Sequence, residues 1–286
     1  MYGTNEVFSY QHCAGCGLLF LQSPPADMSR YYPADSYYSM RRGLSTLKRQ
    51  AMKWRDGSYF QSGVVGSVLA DQFPNTALAA LSAVSRDRQA RILDVGCGSG
   101  ELLASMARLG FQRLYGVDPF LSNTSAPEGV KLICGFIEDA PGNFDLITFN
   151  HSLEHISQQI QTLRAAARKL NCKGTVLVRV PTVDSLAFQI FGENWVQLDA
   201  PRHLNLHSRR SLTLTAEAAG LRVSRMYCDS QPFQFWASQL YRDGHSLFAP
   251  EAKQYRSRDR AFQRRLARWL NEHEQGDQLV AELVLA

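Results

Sequence analysis

The chain has 286 residues, 45% of them hydrophobic and 20% charged, a globular composition with room for one large α/β domain carrying appendages, or for two small ones. No apolar run approaches the roughly 20 residues that span a bilayer, and the first residues lack the basic-then-apolar plan of a secretory signal, so a cytoplasmic setting is expected. The net charge of +5 is local. Residues 253 to 268, KQYRSRDRAFQRRLAR, hold seven Lys or Arg and one acid, which leaves the rest of the chain near −1.

Residues 1 to 40 are rich in Tyr, Pro and Gly, without clear periodicity. Residues 44 to 90 read as helices, broken near Gly57 and Pro74. From 91 the texture becomes alternating strands and helices. RILDV (91–95) is a buried strand, and ELLASMARLG is a helix ended by Gly110. RLYGVD, VKLIC and FDLITFN follow as strands. The next helix is expected to be capped by Ser157, with Ile160, Leu163, Ala167 and Leu170 on one face and Arg168 and Lys169 in its last turn. GTVLVRVP is a fifth strand. Ser208 caps a further helix that Gly220 ends, LRVSRMYC is a sixth strand, and the tail DQLVAELVLA is a seventh.

Repeated β-α-β units predict an α/β fold, a doubly wound and mostly parallel seven-stranded sheet with helices on both faces. The expected division is an N-terminal segment (1–43), helices (44–84), and one large domain (85–286) with a helical insertion at 231–275. In that insertion Phe262, Leu266, Trp269 and Leu270 form a stripe expected to pack on the domain. The basic helix is either a solvated face or a contact for an anionic partner: phosphate, a lipid headgroup or nucleic acid. It is expected over the acceptor side.

Such a sheet binds ligands beyond the carboxyl ends of its strands. Gly96, Gly98 and Gly100 follow the first strand of the β-α run and sit at that rim, where glycine permits a sharp turn and close approach of a ligand. The spacing is GxGxG rather than the GxGxxG of a dinucleotide site. Asp94, two residues ahead, would repel a pyrophosphate but suits a ligand with an ammonium group. Asp118, at the end of the second strand, can accept two hydrogen bonds from ribose hydroxyls.

ILDVGCGSG, then GVDPF, then FDLITFNHSLEHI resemble the successive motifs of class I S-adenosylmethionine-dependent methyltransferases, over about residues 85 to 230 plus the last strand. The resemblance implies a seventh strand inserted antiparallel beside the fifth, and S-adenosylmethionine as cofactor over the glycine loop. Gly96, Cys97 and Gly98 would line its methionine part and Asp118 would hold the ribose. Asp94, Gly100, Pro119 and Asn150 complete the expected cofactor residues. The family often places an acid after the third-strand glycine to meet the adenine. Here Phe136 and Ile137 follow Gly135, and a backbone N–H at Ile137 takes that role in our reading.

HSLEH after the fourth strand recurs in a branch acting mainly on small molecules. ENWVQLDAPRHLNLHS (193–208) resembles a DxPRHL loop of bacterial methyltransferases often encoded near polysaccharide or lipid-modifying functions. Methyl transfer to a hydroxyl needs a base, and a histidine suits it. His203 is the first candidate, with Asp199 or Arg202 orienting it or the substrate, and His151 faces the sulfonium end. The alternative for the loop is a structural Asp–Arg pair, and His155 reads as a scaffold contact. YQHCAGCGLLF resembles the second half of a zinc ribbon. Cys13, Cys16 and at most His12 fall short of four ligands, so no zinc is expected, and the Tyr-rich continuation, Tyr31 to Tyr38, would cover the cofactor. The expected function is methylation of a small molecule, on an oxygen of a sugar or other glycan-pathway metabolite. The alternatives are an RNA methyltransferase using the basic helix and a non-catalytic cofactor-binding scaffold.

Overall fold

The computed structural model describes residues 6–32, 46–61, 63–121 and 126–286. Two short strands open it, β1 (Tyr10–His12) and β2 (Leu19–Leu21), followed by helices α1 (Thr46–Gly57), α2 (Val64–Gln72) and α3 (Thr76–Val84). Then come β3 (Arg91–Val95), α4 (Glu101–Arg108), β4 (Arg113–Asp118), β5 (Val130–Cys134), β6 (Phe144–Asn150), α5 (Gln159–Lys169) and β7 (Leu170–Pro181). The chain continues with α6 (Leu186–Phe191), β8 (Asn205–Leu206), α7 (Arg209–Ala218) and β9 (Leu221–Cys228). It ends with α8 (Phe233–Arg242), α9 (Ala252–Ser257), α10 (Arg260–Glu272) and β10 (Gln278–Leu285).

Seven strands form one sheet in the order β5-β4-β3-β6-β7-β10-β9. Only β10 runs against its neighbours, antiparallel to both β7 and β9, as the resemblance implied. Alternation within each strand divides the core. Leu93, Ile147 and Val178 face one side, against Leu163 of α5 and Leu212 of α7. Ile92, Leu146 and Leu177 face the other, against Leu81 of α3 and Leu103 of α4. A period of two on a sheet covered on both faces gives strands apolar at nearly every position.

Three local expectations are corrected. Ser157 does not cap α5: Gln158 stands at the N-cap, without a side-chain bond. Ile160 is 37% exposed, because a start at Gln159 turns Gln159, Leu163 and Ala166 to the core instead. Ahead of α5, Leu153, Glu154 and His155 form a separate 3-10 turn. In α10 the buried residues are Ala267 and Leu270, while Phe262 and Trp269 are exposed. The apolar arc of that helix is wider than the contact available to it.

β1 and β2 pair as a hairpin, and β2 also pairs antiparallel with β8. The N-terminal segment is thereby fastened to the loop that carries His203. Tyr10 Oη donates to the carbonyls of Leu198 (3.1 Å) and His203 (2.7 Å), and Ser208 Oγ donates to the Cys16 carbonyl. No helix among the described residues is long and apolar enough to cross a membrane. Of the expected lid, Tyr31 and Tyr32 are described, and the remainder, 33–38, lies outside the described residues.

Candidate active site

The glycine loop leaves β3 with Gly96, Gly98 and Gly100 all at positive φ, a conformation costly for any residue with a Cβ. Space demands glycine at the first as well: a Cβ there would lie 2.5 Å from Ser152 Cβ. Ser152 Oγ donates to the Val95 carbonyl at 2.6 Å, clasping the loop after β6 onto the loop after β3. The two oxygens of Asp118 each accept one backbone N–H, from Gly98 and from Phe120, both at 2.9 Å. The acid at the end of β4 therefore shapes the glycine loop, and each oxygen keeps a second lone pair for a ligand. Asp94 lies buried beneath, accepting from Thr148 Oγ1 at 3.3 Å. Burial pushes its carboxyl up to about 7, against the Thr148 hydrogen bond and with the Asp118 charge adding to the rise. Ser99 Oγ is buried without a hydrogen-bond partner. A loop with two buried acids, an orphaned hydroxyl and no room for side chains fits a ligand bearing an ammonium and a ribose.

Cys97 packs where a Cβ on Gly116 would stand, 2.6 Å from its Sγ, and burial raises its thiol. Pro119 follows Asp118, and its carbonyl accepts from Cys134 Sγ at 3.7 Å. Ile137 sends its side chain into the core. Asp139, two residues on, accepts the Phe136 N–H at 2.8 Å. Asn150 Oδ1 accepts from Arg179, which places Asn150 in a polar network beside the loop. Tyr32 stacks on Phe120 at 5.4 Å and brings its Oη within 3.3 Å of His155 Nδ1.

Beside the loop lies a cavity of about 430 Å³ that collects His151, Arg179, Asp199, His203 and Asp229. A larger cleft, between α1, α2 and the end of α4, contains none of the expected site residues. His151 takes φ +53, held by its N–H to the Arg179 carbonyl at 2.9 Å. Burial, with the Arg179 charge, lowers its imidazole to about 3. His203 Nδ1 lies 2.6 Å from the Gln197 carbonyl. A carbonyl only accepts, so Nδ1 carries the proton and Nε2 keeps the lone pair. Nε2 is 3.8 Å from Asp199 Oδ2 and 3.9 Å from Glu154 Oε1. Burial lowers this histidine to about 4, with Glu154 opposing. Asp199 and Arg202 form a buried ion pair with each other. His155 donates from Nδ1 to the Arg202 carbonyl at 2.9 Å and meets the His203 ring edge-on at 4.8 Å. His207 bridges Gln159 and Ser211, both at 2.9 Å, and is wholly buried scaffold.

Two groups were not read from the sequence. Glu154 has no exposure, and neither oxygen finds a hydrogen-bond partner. Glu154, His155 and His203 each offer one ligand-type atom within 4.8 Å of the others, a donor set able to hold a metal ion. Arg179, buried in β7, donates to Asp229 (2.9 Å) and Thr76 (2.7 Å) as well as to Asn150. Its signal was a lone cation inside the apolar run GTVLVRVP, since a buried charge needs partners. The insertion reaches the cavity through Phe233, Gln234, Leu247 and Phe248, whereas no residue of α9 or α10 lines it. The expectation that the basic helix covers the acceptor is thus corrected: Arg260 and Arg264 bond to Gln72 and Arg268 to Asp71, at the end of α2.

The fold and the paired loops define a cofactor-binding α/β domain of transferase type, and residues 69–225 match the family model described as "Methyltransferase domain". The chain belongs to the class I S-adenosylmethionine-dependent methyltransferases. It is 32% identical over 148 residues to a ubiquinone biosynthesis O-methyltransferase of Xanthomonas oryzae pv. oryzae, covering 46% of this chain and 59% of that one. It is 29% identical over 155 residues to the protein of the same name from Xanthomonas campestris pv. campestris, covering 48% and 62%. The chain thus matches about three fifths of the length of these curated relatives. In fold it resembles a chain from the complex between the Haloferax volcanii Trm112 methyltransferase activator and a methyltransferase, with TM-score 0.52, 18% identity, and coverage of 85% of this chain and 99% of that one.

Proposed function

We propose that this chain is a small-molecule O-methyltransferase in a cytoplasmic setting, acting on a sugar or other glycan-pathway metabolite, with His203 as the base. The observation that carries this reading is the adjacency of the two loops after β6 and β3. His151 lines the cavity, and the next residue, Ser152, touches the glycine loop. An acceptor in the cavity is therefore one residue away from the cofactor loop. The curated relatives named as O-methyltransferases support oxygen as the acceptor atom.

S-adenosylmethionine supplies an electrophilic methyl on a sulfonium. Asp94 would meet its ammonium and Asp118 its ribose, with Gly96, Cys97, Gly98 and Gly100 as the loop beneath. Pro119, Ile137 and Asn150 are proposed to complete that side. His203 takes the acceptor hydroxyl proton on Nε2 as the C–O bond forms, and the new imidazolium faces Asp199 and Glu154. Arg202 holds Asp199 in place. His151, at the cavity wall nearest the glycine loop, positions the acceptor for in-line attack. For the basic stretch 253–268 the proposed role is contact with an anionic partner.

The test is an acceptor screen that reads out S-adenosylhomocysteine, offering nucleotide sugars and free glycosides beside catechols. Turnover confined to catechols would overturn the sugar reading. Cofactor binding with turnover on no acceptor would favour a scaffold.

A further inference from the structure

The cleft between α1, α2 and the end of α4 has a volume of about 760 Å³, the size of a site for a small organic ligand. Gly66 lets α2 begin against α1, since a Cβ on it would lie 2.4 Å from the Trp54 carbonyl. Three cations line the cleft: Lys53 from α1, Arg88 from the turn before β3, and Arg108 from the last turn of α4. No acid among the described residues lines it with them. The Arg88 guanidinium is stacked on two phenyl rings, its Cζ 4.6 Å from the Phe60 centroid and 4.4 Å from that of Phe111. Its Nη1 is buried without a hydrogen-bond partner, and so is Arg108 Nε. Burial lowers the Arg88 guanidinium, with no acid opposing the fall. Cations that give up water need an anion in exchange. The same cleft has an apolar side, Trp54, Val64 and Val65, all more than half exposed.

We propose that this cleft binds a phosphate monoester with an apolar body, at a site separate from that of the cofactor. Lys53, Arg88 and Arg108 hold the phosphate. A dianion matches three cations better than a single charge does, and guanidinium groups suit its oxygens. The first turn of α2 adds to this: Gly63, at its N-cap, has no side chain to offer the free N–H groups. A bare phosphate would leave Trp54, Val64 and Val65 in water, whereas an ester with an apolar body covers them. α4 begins beside Gly100 of the glycine loop, and its eight residues end at Arg108. At about 1.5 Å per residue the two sites lie about 12 Å apart along the helix, so both ligands are held at once.

The experiment is calorimetric titration of the full chain with hexyl phosphate, phenyl phosphate, inorganic phosphate and hexanol, with and without saturating S-adenosylhomocysteine. Both esters are expected to bind about tenfold or more tighter than inorganic phosphate, and hexanol is expected not to bind. Ester binding should weaken with salt and be unchanged by S-adenosylhomocysteine. Lys53→Glu with Arg108→Glu should lower ester affinity about tenfold or more, with S-adenosylhomocysteine binding retained. Lys53 is exposed, so Lys53→Glu alone keeps the fold and should still weaken the esters if the paired variant unfolds. Equal ester affinity in parent and variants, or no ester binding, would overturn the site. Displacement of the esters by S-adenosylhomocysteine would place them in the cofactor site instead. Inorganic phosphate bound as tightly as the esters would overturn the apolar body, and hexanol bound as tightly as hexyl phosphate would overturn the role of the cations.

Discussion

His203 Nε2 and Glu154 Oε1 face each other across 3.9 Å, one from the loop after β7 and one from the turn after β6. Glu154 is the fully buried, unbonded member of the pair, and an uncompensated carboxylate there favours a positive charge nearby. In the proposed mechanism Glu154 would be the counter-charge to the imidazolium formed at His203, with His151 Nδ1 3.5 Å from the same oxygen. Glu154→Gln keeps the size and removes the charge. Turnover is expected to fall about 10- to 100-fold, about 1.4 to 2.7 kcal/mol of barrier, with KM nearly unchanged. The acid limb of the pH profile should move lower. Turnover insensitive to chelators is expected; loss on chelation with recovery on adding a divalent metal would instead make Glu154, His155 and His203 its ligands.

The proposal that His203 is the base predicts a pH profile. His203 must be neutral to take a proton, and burial lowers it from 6.5 to about 4. Acceptor methylation should therefore rise with pH through about 4 and be flat between 6 and 7, rather than rise through the 6 to 7 of an ordinary histidine. His203→Ala should lower turnover by about two to four orders of magnitude, with cofactor affinity retained. If His151→Ala abolishes turnover while His203→Ala keeps it, the two roles are exchanged.

Cofactor binding should be coupled to a proton. Asp94 is held near 7 by burial, and a ligand ammonium favours its ionised form. Binding near pH 7 then releases part of a proton, and affinity weakens as pH falls below 7. Calorimetry in two buffers of different ionisation enthalpy should give different apparent heats, and Asp94→Asn should remove the difference.

Two glycines separate backbone strain from steric exclusion. Gly96 and Gly110 both have positive φ, but a Cβ on Gly96 meets Ser152 at 2.5 Å while one on Gly110 meets nothing within 4 Å. Gly110→Ala should cost about 1 kcal/mol of stability and bind S-adenosylmethionine, expected at micromolar affinity, as the parent does. Gly96→Ala should weaken that binding at least about tenfold by moving the loop, a change of about 1.4 kcal/mol.

Elemental analysis should find zinc well below one per chain at the N-terminal hairpin. Among the described residues Cys13 and Cys16 gather no third ligand of metal-binding type, and two thiolates do not close a tetrahedral site. Near-stoichiometric zinc lost on Cys13→Ser would refute this.

The sequence by itself determined the sheet. Period-two apolar strands, glycine-ended helices and a solitary last strand after an insertion are local patterns, and local patterns specify elements and their order. The glycine loop was legible for the same reason, since Asp94 to Gly100 is one contiguous stretch and Asp118 ends the adjoining strand. What lies across the sheet was not. Glu154 belonged to a motif already noticed, yet its importance comes from His203, far along the chain, and from the absence of any donor to its oxygens. The Arg179 network joins β7 to α3, β6 and the end of β9, and no spacing along the chain encodes that meeting. The stripe on α10 was read with the right period but the wrong centre. Periodicity shows that a helix has an apolar arc. Which part of that arc is covered depends on what packs against it, and that is decided only when the chain is folded.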